Sequence, residues 1–155
     1  NNTRARGTVY VSSSVVVEPS VSGNNPCRAV FNINSINGYV CVGVFLPSIV
    51  AANRLKIKCN FHDYAESNNY QHGTFVIGND GWCCTHGNSP TETGCSFAAG
   101  QSVAVEWQPA TREVSWSVVG TDKRHGVSIP SELLQRGPLQ FVAVLYNGDD
   151  VSVAS

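Results

Sequence analysis

Residues 97–120 read Phe97-Ala-Ala-Gly-Gln-Ser-Val-Ala-Val-Glu-Trp-Gln-Pro-Ala-Thr-Arg-Glu-Val-Ser-Trp-Ser-Val-Val-Gly120, and their periodicity decides the fold class. Val103, Val105 and Trp107 alternate along the first half, Val114, Trp116 and Val118 along the second, and Gln108 to Arg112 carries Pro109 between them. A period of two sends each triplet to one side of an extended chain, so the stretch is an antiparallel hairpin with a single apolar face. Trp107 and Trp116 are in phase with the valines and are expected in the core.

The same reading extends outward. Upstream, His72-Gly-Thr-Phe-Val-Ile-Gly-Asn-Asp-Gly-Trp82 is a strand ending in an Asp-Gly turn, and downstream Tyr146-Asn-Gly-Asp149 separates a last pair, Leu139–Tyr146 and Asp150–Ala154. Further strands are expected at Thr8–Val17, Ala29–Ile33, Gly38–Leu46, Arg54–Phe61, Gly73–Ile77 and Gly81–Thr85. Clusters of Gly, Asn, Ser and Pro divide them at short intervals, which is the signature of an all-β sandwich or barrel. Helix is confined to one or two short turns. Pro47–Asn53 begins with a residue suited to a first turn, and Pro130–Gly137 offers Ser131 as an N-cap, Leu133 and Leu134 as a buried pair and Gly137 as a stop.

Composition narrows the function. At 155 residues the chain makes one domain with room for a real core, and ten basic against eleven acidic side chains leave no basic excess to neutralise phosphates. No nucleic-acid partner is therefore expected. No apolar run reaches the roughly 20 residues that span a bilayer, so no membrane partner is expected either. The chain starts at Asn1 and contains no Met, which reads as a fragment of a longer protein. Six cysteines would permit a secreted disulfide framework, but Cys41 and Cys59 lie inside apolar runs where a thiol acts as a small hydrophobe, so reduced cysteines and a cytoplasmic location are expected.

From Gly38 to Val153 the chain resembles the SPRY domain, the core of the B30.2 module. The matching pieces are Tyr39-Val-Cys-Val-Gly-Val-Phe45, His72-Gly-Thr-Phe-Val-Ile-Gly-Asn-Asp-Gly-Trp-Cys83, Phe97-Ala-Ala-Gly-Gln-Ser-Val-Ala-Val-Glu-Trp107, Glu113-Val-Ser-Trp-Ser-Val-Val-Gly120 and the terminal pair from Leu139. The resemblance implies a bent antiparallel two-sheet β-sandwich, a single SPRY-like domain over 1–155, with partners docking among loops near the Gly-rich turn and the penultimate turn. Carried onto this sequence, the partner-binding candidates are Asn79, Asp80, Trp82, His86, Tyr146 and Asn147, with Tyr64 and Tyr70 of the long 60–72 connection as further aromatic anchors.

Chemistry in the strict sense finds few footholds. His62, His72, His86 and His125 could be set beside Cys83, Cys84 and Cys95 as metal ligands, but Cys83 and Cys84 are adjacent and a strand sends them to opposite faces. Cys84 and His86 share a face, and the simpler reading is a half-buried thiol beside an exposed imidazole. Asn79, Asp80, Asp149 and Asp150 could supply calcium ligands, yet Asn, Gly and Asp are expected in tight turns for backbone reasons alone. Glu106 and Glu113 flank the hairpin as solvated carboxylates, and Gly94-Cys-Ser96 lacks the helix that would position a nucleophile. The expectation is a non-catalytic, monomeric module without cofactor or metal, binding a short peptide or protein surface. A carbohydrate-binding, lectin-like sandwich is the alternative.

Overall fold

Two antiparallel six-stranded sheets face each other in the computed structural model, which describes residues 3–6, 13–21, 25–52, 71–146 and 148–154. The strands are β1 (Thr3–Arg6), β2 (Ser13–Val21), β3 (Cys27–Ser35), β4 (Cys41–Phe45), β5 (Thr74–Gly78), β6 (Trp82–Thr85), β7 (Thr91–Glu92), β8 (Ser102–Gln108), β9 (Glu113–Val118), β10 (Arg124–Ser128), β11 (Leu139–Leu145) and β12 (Asp150–Ala154). Among the described residues the helices are α1 (Pro47–Ala52) and α2 (Ser131–Leu134). One sheet runs β1-β12-β3-β8-β9-β10 and the other β2-β11-β4-β5-β6-β7.

The hairpin expected from residues 97–120 is β8–β9, with Val103↔Val118, Val105↔Trp116 and Trp107↔Val114 in register. All six are buried, and they join Phe31, Ile33, Phe75, Ile77, Phe141 and Leu145 in the core between the sheets. Trp116 crosses that core to donate its indole N–H to the Val42 carbonyl at 3.0 Å, tying β9 to β4.

The second sheet differs from the first in a way that alternation does not predict. β4 and β5 are buried at every position. Their inward residues join the main core, while Cys41, Phe45, Val76, Cys84, Val142 and Val144 form a second cluster on the outer face, against which Val50 of α1 and Tyr39 pack. Cys83 and Cys84 therefore do part to opposite faces, one to each cluster.

Several element boundaries depart from the sequence reading. β3 is nine residues rather than five, because its ladders with β8 and β12 carry it past the inward Ala29, Phe31 and Ile33 to Cys27 at one end and Ser35 at the other. β1, β7 and β10 were not expected, and β2 runs on to Val21, past the end of the Thr8–Val17 reading, whose first five residues lie outside the described residues. Ser131 is the first helical residue of α2 rather than its cap; Pro130 holds the cap position and makes no side-chain cap bond. Leu133 is buried and Leu134 only partly so. The strand expected at Arg54–Phe61, with Cys59, His62, Tyr64 and Tyr70, lies outside the described residues, as does Asn147.

Candidate functional site

Register brings three connections to one end of the second sheet. Val144 of β11 pairs Cys41 of β4, and Cys41 pairs Gly78 of β5. The segments 36–40, 79–82 and 146–149 therefore meet at that end, beyond the last rungs of the ladder. Tyr146, Tyr39 and Trp82 share the strand parity of Val144, Cys41 and Cys84, so their side chains stand on the outer face. β11, β4, β5 and β6 lie side by side, which puts Tyr146 and Trp82 about 14 Å apart across three strand spacings.

The polar groups of this end are mostly committed to holding it. Asn79 accepts the Val40 N–H on its side-chain oxygen at 3.0 Å, and its own carbonyl takes the Phe97 N–H. Asp80 Oδ1 accepts the Tyr39 hydroxyl at 2.7 Å and the Trp82 N–H at 3.2 Å. The Tyr39 ring lies over Gly78, where a Cβ would collide with its hydroxyl, so glycine is needed there for close approach. Gly81, at φ 89°, turns the chain in the left-handed region into β6. The large apolar side chains left outward at this end are Trp82 and Tyr146, each 40% exposed.

Asp149 was read from the sequence as a turn residue, and it does more than that. It is fully buried, and Oδ1 accepts the N–H groups of Asn37 at 2.6 Å and Gly38 at 2.9 Å while Oδ2 accepts the Tyr146 N–H at 2.8 Å. One carboxylate thus clamps the β3–β4 connection to the turn that carries Tyr146. Asp149→Ala leaves three backbone donors without their acceptor. Because Asn37 and Gly38 lie near solvent and can be rehydrated, the expected cost is about 2 kcal/mol, read as a lower urea midpoint with an unchanged slope.

Of the eight partner-binding candidates, Asn79, Asp80, Trp82 and Tyr146 come together here, and Tyr64, Tyr70 and Asn147 lie outside the described residues. His86 does not join them. It follows β6 at the other end, about 13 Å along the strand from Trp82, where its N–H meets the Thr74 carbonyl and its Nδ1 accepts the Gly73 N–H at 2.8 Å.

Beside it lies His72, which the sequence reading weighed only as a metal ligand. His72 is buried, its Nδ1 is 2.5 Å from Thr74 Oγ1 and accepts the Thr74 N–H, and its Nε2 is 3.9 Å from Cys84 Sγ. A ring nitrogen that accepts a backbone N–H carries no proton, so His72 is the neutral Nε2–H tautomer, aimed at sulfur. The thiol is thus fully buried rather than half-buried, with His72 against its sulfur, and His86 is itself half-buried rather than exposed. Burial, with the His86 ring next to it, pulls His72 down from 6.5 to about 4, and burial followed by the adjacent Cys83 pushes the Cys84 thiol up to about 12. A neutral imidazole facing a protonated thiol is a packing contact and not an activated nucleophile.

One of the two hairpin carboxylates is paired. Glu106 pairs with Arg28 at 2.9 Å, and the Glu113 side chain lies over Gly126. Among the described residues, no three or more His, Cys, Asp or Glu side chains converge as metal ligands would.

Comparison with solved structures identifies the architecture. The SPRY domain of human HERC1 matches with a TM-score of 0.67 at 13% identity, over 98% of this chain and 87% of that one. The chain has the SPRY fold. The stonustoxin structure also matches, with a TM-score of 0.57 at 12% identity, covering 90% of this chain and 20% of that larger one. No protein-family model matches the chain, and no curated protein does. The SPRY fold accounts for the order of the five sequence pieces, from the strand at Tyr39 to the terminal pair: they are β4, β5 with its turn into β6, β8, β9 and β11–β12.

Proposed function

We propose that this chain is a non-catalytic protein-interaction module, and that it holds a short peptide or protein edge across the end of the second sheet between Tyr146 and Trp82. The observation that carries the reading is the pair of large, outward aromatic side chains set on committed backbone. Trp82 and Tyr146 stand exposed while the polar groups around them are held by Asn79, Asp80 and Asp149. Flat aromatic anchors that are already ordered lose little entropy on binding, and a few such residues carry most of an interface's energy. A span of about 14 Å accommodates some four residues of extended chain. The SPRY fold supports the reading by analogy, as a rigid sheet scaffold whose ends are free to vary.

Peptides selected from a display library against the chain provide the test. Tyr146→Ala is expected to weaken a selected peptide by roughly 1–3 kcal/mol in calorimetry, and Trp82→Ala by less, with little change in either melting temperature. Normal binding by both variants, or unfolding as their only effect, would place the surface elsewhere. Selective capture of glycans in place of peptides would favour the lectin-like alternative.

A further inference from the structure

β10 is an unexpected strand, and it forms one edge of the first sheet. Its pairing with β9 is phased by the bonds Val118 N–H to Lys123 O and Ile129 N–H to Arg112 O. In that phase His125 and Val127 exchange bonds with β9, whereas the N–H and C=O groups of Arg124, Gly126 and Ser128 point away from the sheet. Those three residues are exposed. Among the described residues the other edges are less suited to pairing: β7 has two residues, β1 has four, and β2 contains Pro19.

The strand is self-complementary about its centre. Gly126 is the middle residue of five, so a second β10 running antiparallel would set Gly126 against Gly126 on a two-fold axis and Arg124 against Ser128 on either side. Each of those pairs could exchange both of its outward bonds. Gly126 itself puts no side chain on the axis. On the outer face, Glu113 pairs with Ser128 in register and its side chain leans over Gly126, toward the free edge. The second copy's Arg124 would lie next to Ser128, about 10 Å of strand spacing from Glu113 and within reach of two long, flexible side chains. The axis repeats the Glu113–Arg124 pair. On the inner face, the half-buried Val127 and the His125 ring stacked on Trp116 would be covered by the same residues of the second copy.

We infer that two copies of this chain associate through β10, joining their first sheets into one continuous twelve-stranded sheet by way of the outward backbone groups of Arg124, Gly126 and Ser128 and crossed Glu113–Arg124 ion pairs. The sequence reading expected a monomer, and the experiment below decides between the two. The association is independent of the aromatic end, and the two-fold would present two such ends facing opposite ways.

Sedimentation of the 155-residue chain across about 1 μM to 1 mM tests it. The expected result is a concentration-dependent dimer that Arg124→Glu and Glu113→Arg each weaken at least about tenfold and that the double exchange restores, since only the exchanged pair again places opposite charges together. Gly126→Pro should also yield monomer. It removes an N–H that β9 does not use, and the Glu113 side chain can move from the new ring. Far-UV circular dichroism of each variant verifies that it is folded. A chain that stays monomeric throughout the range, or a dimer that ignores both charge reversals and Gly126→Pro, overturns the inference.

Discussion

Trp116→Ala should lower the unfolding free energy by about 4 kcal/mol, within the range found for emptying a core site of this size. The indole is 1% exposed, sits between the two sheets, donates to the Val42 carbonyl and is stacked on His125 at 6.1 Å. Its removal opens a cavity that β9 and β4 cannot close without leaving their ladders, and it loses a side-chain hydrogen bond that ties the two sheets across the core. Since domains of this kind are stable by about 5–15 kcal/mol, the variant should unfold at a much lower urea midpoint and show reduced expression. Trp116→Phe, which keeps most of the volume and gives up the bond, should recover more than half. A loss below about 1 kcal/mol for the alanine variant would mean that the strand phase of β9 is wrong.

Acid should destabilise the fold well above the carboxylate range. In the unfolded chain His72 takes a proton near pH 6.5, while in the fold, where its Nδ1 faces the Thr74 N–H, it does so only near pH 4. Between those values the unfolded state binds the additional proton, so lowering the pH favours unfolding. The stability that His72 contributes is complete above pH 6.5 and is lost as the pH falls toward 4, a change of about 3 kcal/mol. Burial lowers His86 and His125 as well, which adds slope of the same sign. Urea midpoints measured from pH 4.5 to 7.5 should fall more steeply for the wild-type chain than for His72→Gln. Parallel pH profiles for the two would show that His72 is not the responsible group.

How much of this was legible depended on whether a residue's role is local. The β8–β9 hairpin could be read because its inward and outward positions alternate, and β4 and β5 could be read as strands from short apolar runs bounded by turn residues, though not as strands covered on both faces. β10 carries one aliphatic residue, Val127, among Arg124, His125, Gly126 and Ser128, so its periodicity has nothing to show; it is a strand because β9 presents a ladder to it. The Gly-turn aromatics were found through resemblance, and Trp82 and Tyr146 do reach one end together. Asp149 was underestimated because its partners Asn37 and Gly38 lie more than a hundred residues earlier, and an aspartate in an Asn-Gly-Asp turn looks the same whether it faces water or clamps another loop. The burial of His72 was hidden for a related reason. A His-Gly-Thr step at the start of a strand does not reveal that both faces of that strand are covered.

That double covering of β4 and β5 bears on how descendants of this sequence can change. A strand with one wet face can exchange half of its residues at little cost, but here neither Val42, Val44, Phe75 and Ile77 on one side nor Phe45 and Val76 on the other can drift toward polar types without opening a core. Mutational freedom is displaced to the rims and to the outer face of the opposite sheet, where Ser115, Ser117 and their neighbours are small and polar. Lineages of this domain should therefore diverge fastest where they meet other molecules and slowest through the middle layer, leaving little sequence identity outside it even when the architecture is unchanged.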